Sequence, residues 1–145
     1  GLSFEDNTFD FVYQRLLFVA YPKSKWMFIV NELVRVLKPG GYLEMTEIDP
    51  MVKQAGPAPK FFYKSACNLF QQLGTDPKSC YELQNYAMAQ GELVNIRKEE
   101  KNILFGKSAG VLGKVAIENN IGVLESLKPL MSKALSLSSE KYDEL

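Results

Sequence analysis

The sequence predicts an α/β fold built on a strand–helix–strand unit near its start. Three observations carry this. Phe9 to Tyr13, FDFVY, is aromatic and β-branched apart from Asp10 and follows the polar turn Glu5-Asp6-Asn7. From Trp26 the apolar residues recur at helical spacing, and a second strand-like run follows at Tyr42 to Ile48, YLEMTEI. All of this fits within roughly 40 residues, the footprint of a βαβ unit, whose two strands lie parallel and near each other.

Taken in order, FDFVY reads as a short buried strand. Pro22 to Ser24 introduces the helix, in which Trp26, Ile29, Val30, Leu33, Val34 and Leu37 form one face. Asn31, Glu32, Arg35 and Lys38 fall on the other side, and Phe28 breaks the pattern by pointing with them. Lys38-Pro39-Gly40-Gly41 is expected to stop the helix as a turn, because proline disfavours helical backbone before it and glycine accepts a tight exit. Glu44 fits poorly in the second strand, since a central parallel strand is usually apolar throughout.

Beyond Ile48 the composition shifts. Asp49 to Pro59 holds three prolines and a glycine and reads as a loop. Lys60 to Leu73 reads as an amphipathic helix ended by Gly74. Asp76 is a candidate N-cap with Pro77 at the first position of another helix, which runs to about Gln90 and closes at Gly91. Leu93 to Lys98 is a candidate third strand and Asn102 to Phe105 a strand end, with Arg97 to Lys101 as solvated charge at a sheet edge. Val111 to Leu137 is helical, interrupted by Gly122 and Pro129.

Composition bounds the function. At 145 residues there is room for one domain, with a core Gly1–Asp49 and a mostly helical remainder, 50–145. Lys plus Arg and Asp plus Glu number 17 each, so no net field or basic stripe points to nucleic acid. The absence of histidine excludes His-based triads, His metal sites and His general bases, and no metal site is expected. Two cysteines, Cys67 and Cys80, are too few for a disulfide framework, which points to an intracellular, cytoplasmic or nuclear home. No apolar run approaches the ~18 residues of a membrane span.

The run LSFEDNTFDFVYQRLL, the helix ending ELVRVLKPGG, and the strand YLEMTEID together resemble the central part of class I S-adenosylmethionine-dependent methyltransferases. Ser3 departs from the proline usual there. The stretch from AGPAP through LFGKSAGVLGKVAIENNIGVLESLKPLMSKAL to SSEKYDEL is similar to the C-terminal part of fungal methyltransferases, with Lys107 and Gly113 in a Gly-rich stretch before a long helix.

The resemblance implies a partial Rossmann-like fold of strand order 3-2-1-4-5-7-6, with FDFVY as strand 4 and YLEMTEI as strand 5, followed by C-terminal helices. The 145 residues would then be the C-terminal portion of one methyltransferase domain, lacking the Gly-rich cofactor loop. S-adenosylmethionine would lie across the carboxyl ends of the strands. Gln14, Arg15 and Leu16 would stand beside its methionine part, where Gln14 could bond its amino or its carboxylate group and Arg15 could pair with a carboxylate. Glu47 and Asp49 would face an acceptor, a small molecule or a protein, either orienting it or taking its proton; capping the adjacent loop is their plainer role. No catalytic residue is assigned, because in-line displacement from a sulfonium asks mainly for alignment and exclusion of water.

The resemblance therefore predicts methyl transfer by the full-length parent and no measurable S-adenosylmethionine affinity for residues 1–145 alone. The alternative is a non-catalytic interaction module that self-associates through the exposed edge of the first strand. Gly106-Lys107-Ser108 lacks the glycine a phosphate loop needs five positions earlier, and the terminal YDEL reads as coincidence rather than a retention signal.

Overall fold

Residues 1–106 and 109–144 are described by the computed structural model. They fall into two compact units, Gly1–Lys98 and Glu99–Leu145. Lys107 and Ser108 of the Gly-rich stretch, and Leu145 of the terminal YDEL, lie outside the described residues.

In the first unit, strand β1 (Phe9–Arg15) leads to a 3₁₀ turn, Lys23–Lys25, and helix α1 (Trp26–Arg35), then to strand β2 (Leu37–Thr46). The two strands pair in parallel, Val12 opposite Leu43 and Gln14 opposite Met45. Helix α1 buries Trp26, Val30 and Leu33, while Phe28 is exposed as its position on the polar face predicts. Trp26 is fully enclosed, edge-on to Tyr21 and stacked on Tyr86 with ring centroids 5.9 Å apart.

Several expectations are corrected here. Helix α1 ends at Arg35, and Leu37 opens β2, so Lys38-Pro39-Gly40-Gly41 lies inside the strand rather than in a turn before it. Phe9 pairs with Leu37 and Phe11 with Tyr42, leaving Asp10 alone against Lys38–Gly41. The cause is local: Pro39 has no N–H for the ladder, and Gly40 takes a φ of +78°, so the chain bulges out and returns. Lys38 Nζ closes the bulge on the Asp10 carboxylate at 2.9 Å.

The first strand is not buried on both faces. Phe11 and Tyr13 stack on one face of the sheet, half exposed, and Tyr42 beside them is 76% exposed. Glu44 shares that open face, which accounts for a charged residue in the strand. The candidate third strand at Leu93–Lys98 and the extended end at Asn102–Phe105 do not form, and the sheet has two strands among the described residues. Asn95 adopts a φ of +56°, and the Gln90 side chain takes the amides of Glu92 and Leu93, so this segment turns instead of extending.

Helix α2 (Pro57–Gln72) begins three residues before the expected start, with Pro57 in its first turn. The Asp76 carboxylate caps the next segment as predicted, accepting the Lys78 amide at 3.0 Å; its first part, Pro77–Glu82, is 3₁₀ and continues into helix α3 (Leu83–Gln90). Gly91 closes it with a φ of +91°.

In the second unit, helix α4 (Gly110–Leu135) runs through Gly122 and Pro129 without interruption, contrary to expectation. Pro129 removes one donor and crowds the Glu125 carbonyl, a cost of about 3 kcal/mol in a helix interior, while the remaining residues of α4 each still add a bond. Helix α5 (Ser139–Asp143) is capped by Ser138 and returns to α4, where the Tyr142 hydroxyl donates to the Leu124 carbonyl at 2.8 Å and Lys128 meets Asp143 at 2.6 Å.

The entry to β1 is tied to the end of α1. The amides of Asn7, Thr8 and Phe9 take the carbonyls of Arg35 and Val36, which a helix end leaves unpaired. Arg35 donates to Glu32, Asp6 and the carbonyls of Leu2 and Phe4, and Glu32 accepts the Leu2 amide at 2.8 Å. These partners, the Arg35 guanidinium first, lower the Glu32 carboxyl from 4.5 to about 2. A carboxyl depressed in the folded state contributes stability above its unfolded value and loses it as pH falls. The urea midpoint read from Trp26 fluorescence should therefore drop between about pH 4.5 and about pH 2, and Glu32→Gln should flatten that drop. An unchanged acid slope in the variant would assign it to other groups.

Candidate functional site

The carboxyl ends of β1 and β2 point the same way because the strands are parallel, and the polar groups gather just beyond them. Gln14, near the end of β1, is 3% exposed. Its amide Nε2 donates to Glu47 Oε1, one residue past the end of β2. Glu47 also accepts the backbone amides of Leu17 at 2.9 Å and Phe18 at 3.3 Å. The carboxylate thus holds the turn that follows β1. Within that turn Leu16 has a φ of +54°, rare for a branched residue, and its amide bonds the Thr46 carbonyl at 3.0 Å.

Gln14 Oε1 is buried and has no hydrogen-bond partner among the described residues. An unpaired buried carbonyl costs about 1–3 kcal/mol, so it marks a place a donor would complete. Arg15 lies on the exposed face and makes no ion pair among the described residues, and Leu16 is 45% exposed. Gln14 and Glu47, read from the sequence as belonging to opposite sides of a site, are brought into direct contact; Arg15 and Leu16 flank them.

Asp49 stands two residues further along. Its Oδ1 accepts the Met51 amide at 2.9 Å and the Tyr81 hydroxyl at 2.6 Å. Burial and the Asp49 carboxylate hold the Tyr81 phenol well above its ordinary range, so it stays a donor. Burial, followed by the charges of Asp49 and Glu47, pushes the Cys80 thiol up to about 11, and burial raises Cys67 too. Both cysteines are therefore neutral thiols near neutral pH and poor nucleophiles. Tyr81 and Cys80 were not singled out as site residues by the sequence. Tyr81 is 32 residues from Asp49, and no local pattern links them.

Among the described residues no group of three or more His, Cys, Asp or Glu side chains is placed to hold a metal ion. A cavity of about 300 Å³ in the second unit, lined by Glu125, Lys128, Pro129, Ser132 and Ser139, holds none of these site residues. No described helix is long and apolar enough to cross a membrane.

Parallel strands joined by a helix define an α/β unit, and these polar side chains collect beyond the strands' carboxyl ends. Residues 1–45 match a family model described as a methyltransferase domain, which supports such a domain in this part of the chain. The match spans β1, α1 and most of β2. No curated protein and no solved structure matches the chain.

Proposed function

We propose that the Gly1–Lys98 unit supplies the strand-4 and strand-5 part of a class I, fungal-type methyltransferase site that uses S-adenosylmethionine. The observation that carries this reading is the parallel pairing of Phe9–Arg15 with Leu37–Thr46 inside the stretch matched by the methyltransferase-domain family. When bound, the cofactor supplies a methyl group on a sulfonium, which an acceptor displaces in line.

The residues present fit one end of that cofactor. The Gln14 oxygen, unpaired among the described residues, suits a donor at the amino-acid end of the cofactor, while Arg15 on the opposite, exposed face of β1 and Leu16 flank it. The sequence contains no Gly-x-Gly-x-Gly turn to receive the ribose, so these residues hold the cofactor incompletely. Glu47 secures the turn after β1. Asp49 keeps Oδ2 clear of hydrogen bonds among the described residues and, with Tyr81, faces the acceptor, whose N–H or O–H it can receive.

Calorimetry on the 145-residue chain should give no saturable S-adenosylmethionine isotherm, while millimolar cofactor in ¹⁵N-labelled chain should shift amides confined to Gln14–Phe18 and Glu47–Asp49. Tight saturable binding would overturn the incomplete-site reading; shifts elsewhere, or none, would remove the assignment. A second reading, an interaction module, is favoured by the half-exposed Phe11 and Tyr13 on β1, beside exposed Tyr42 of β2, with β1 paired on one side alone among the described residues. Elution of the same sample as a clean monomer counts against it.

A further inference from the structure

The cavity of about 300 Å³ in the second unit contains none of the residues assigned to methyl transfer, and its uncommitted polar groups are of one kind. It opens between Glu125, Lys128, Pro129 and Ser132 of α4 and Ser139 of α5, beside the gap that Pro129 leaves in the α4 ladder. Pro129 has no N–H, so the Glu125 carbonyl loses the donor an ordinary helix residue would bring. The Glu125 carboxylate is exposed and has no hydrogen bond or ion pair among the described residues. Ser139 is likewise exposed, with a hydroxyl that can accept. The cation in the wall, Lys128, is already committed: its Nζ meets both Asp143 oxygens at 2.6 Å and sits over the Tyr142 ring, 6.0 Å from its centre. A ligand therefore meets accepting oxygens and one uncompensated negative charge, next to the apolar Pro129 ring and the Lys128 stem.

We propose that this cavity binds a small alkylammonium ion, its N–H groups donating to the Glu125 carboxylate and carbonyl and to Ser139, its chain lying along Pro129 and the Lys128 stem. The volume sits at the lower end of small-molecule sites, which run from about 300 to about 1,000 Å³, so the ligand is a single short chain. The Ser132 hydroxyl is too enclosed to be a contact. An anion would meet the Glu125 charge while Lys128 is neutralised by Asp143. A metal ion finds no group of three or more His, Cys, Asp or Glu among the described residues. The site belongs to the second unit alone and stands whether or not the first unit takes part in methyl transfer.

The test titrates ¹⁵N-labelled 145-residue chain at constant ionic strength with three probes: n-butylammonium, 1-butanol, which has the same length and no charge, and butanoate. Butylammonium should give saturable amide shifts confined to residues 124–140 at millimolar concentration. Butanol should bind about fivefold more weakly, and butanoate should not saturate. Glu125→Gln removes the charge at an exposed position, so the helix persists by circular dichroism while butylammonium weakens about fivefold and butanol does not change. Pro129→Ala returns an N–H to the Glu125 carbonyl, and it should raise the urea midpoint of the α4 helix while weakening butylammonium, opposite signs that a merely structural role for Pro129 would not give. Equal Kd values for butylammonium and butanol, tighter binding of butanoate, an unchanged Kd in Glu125→Gln, or no saturable shift within residues 124–140 would each overturn the proposal.

Discussion

Trp26→Ala should abolish cooperative folding of the Gly1–Lys98 unit. Trp26 has no exposed surface, and it is the residue through which α1, the Tyr21 turn and α3 meet. Truncating a buried aromatic to alanine costs about 3–5 kcal/mol, because transfer energy is lost and the cavity does not fully collapse. The stacked Tyr86 and edge-on Tyr21 rings lose their partner as well, a further ~0.5–1.5 kcal/mol per pair. One term opposes these: the Trp26 Nε1 donor is buried without a partner among the described residues, so its removal relieves a cost of about 1–3 kcal/mol. The net loss, about 4 kcal/mol at the middle of these ranges, approaches the lower end of the stability of a small domain, which is about 5–15 kcal/mol. Trp26→Phe separates the contributions, since it removes the unpaired donor while keeping a ring between the two tyrosines. Far-ultraviolet circular dichroism with urea should show no cooperative transition for the unit in the alanine variant and a near-normal one in the phenylalanine variant. A Trp26→Ala chain that melts within 1 kcal/mol of the parent, a limit set well below the ~3 kcal/mol truncation cost, would mean that the enclosure of this side chain is energetically empty.

The strand–helix–strand unit was legible because its signals are local. The aromatic and β-branched run FDFVY, the strand-like run YLEMTEI and the helical spacing from Trp26 each reside in a few adjacent residues, and the parallel pairing follows from their connection. The Asp76-Pro77 cap was legible for the same reason. What escaped were facts that depend on a distant partner. Leu93–Lys98 has strand-like composition, but strand propensity expresses itself only against a neighbour, and none is offered. Lys38-Pro39-Gly40-Gly41 has turn chemistry, yet Asp10 draws it into the ladder as a bulge. Gln14 and Glu47 were each visible as candidates because the methyltransferase resemblance implies site residues at the ends of these two strands. Their contact was not, since 33 residues separate them and only the register, Gln14 opposite Met45, brings Glu47 within reach. Tyr81 arrives at Asp49 from a segment whose local capping signal fixes its start and says nothing about where it docks.

Gly41→Ala should destabilise the same unit by about 1–3 kcal/mol or more, through overpacking rather than a cavity. A Cβ at Gly41 would lie 2.9 Å from the Asp10 carbonyl, 2.9 Å from the Lys38 carbonyl and 2.8 Å from Leu37 Cδ1. The leucine methyl can rotate aside. The two carbonyl oxygens belong to the backbone of the bulge and of the facing strand, so relief requires β1 and β2 to separate where the register changes. Gly40 supplies the contrast: a Cβ there meets nothing within 4 Å, but its φ of +78° is unfavourable to any side chain, so Gly40→Ala should cost about 1–2 kcal/mol by strain alone. Urea midpoints followed by Trp26 fluorescence distinguish the two, and the mechanisms differ in reach. Strain at Gly40 is confined to an exposed bulge, whereas separation at Gly41 propagates along β2 and should disturb the amide shifts of Leu17 and Phe18, which Glu47 holds. If Gly41→Ala leaves both the midpoint and those shifts where they were, β2 can shift within the bulge without moving its carboxyl end, and the geometry of the Gln14–Glu47 contact does not depend on the register set at Asp10.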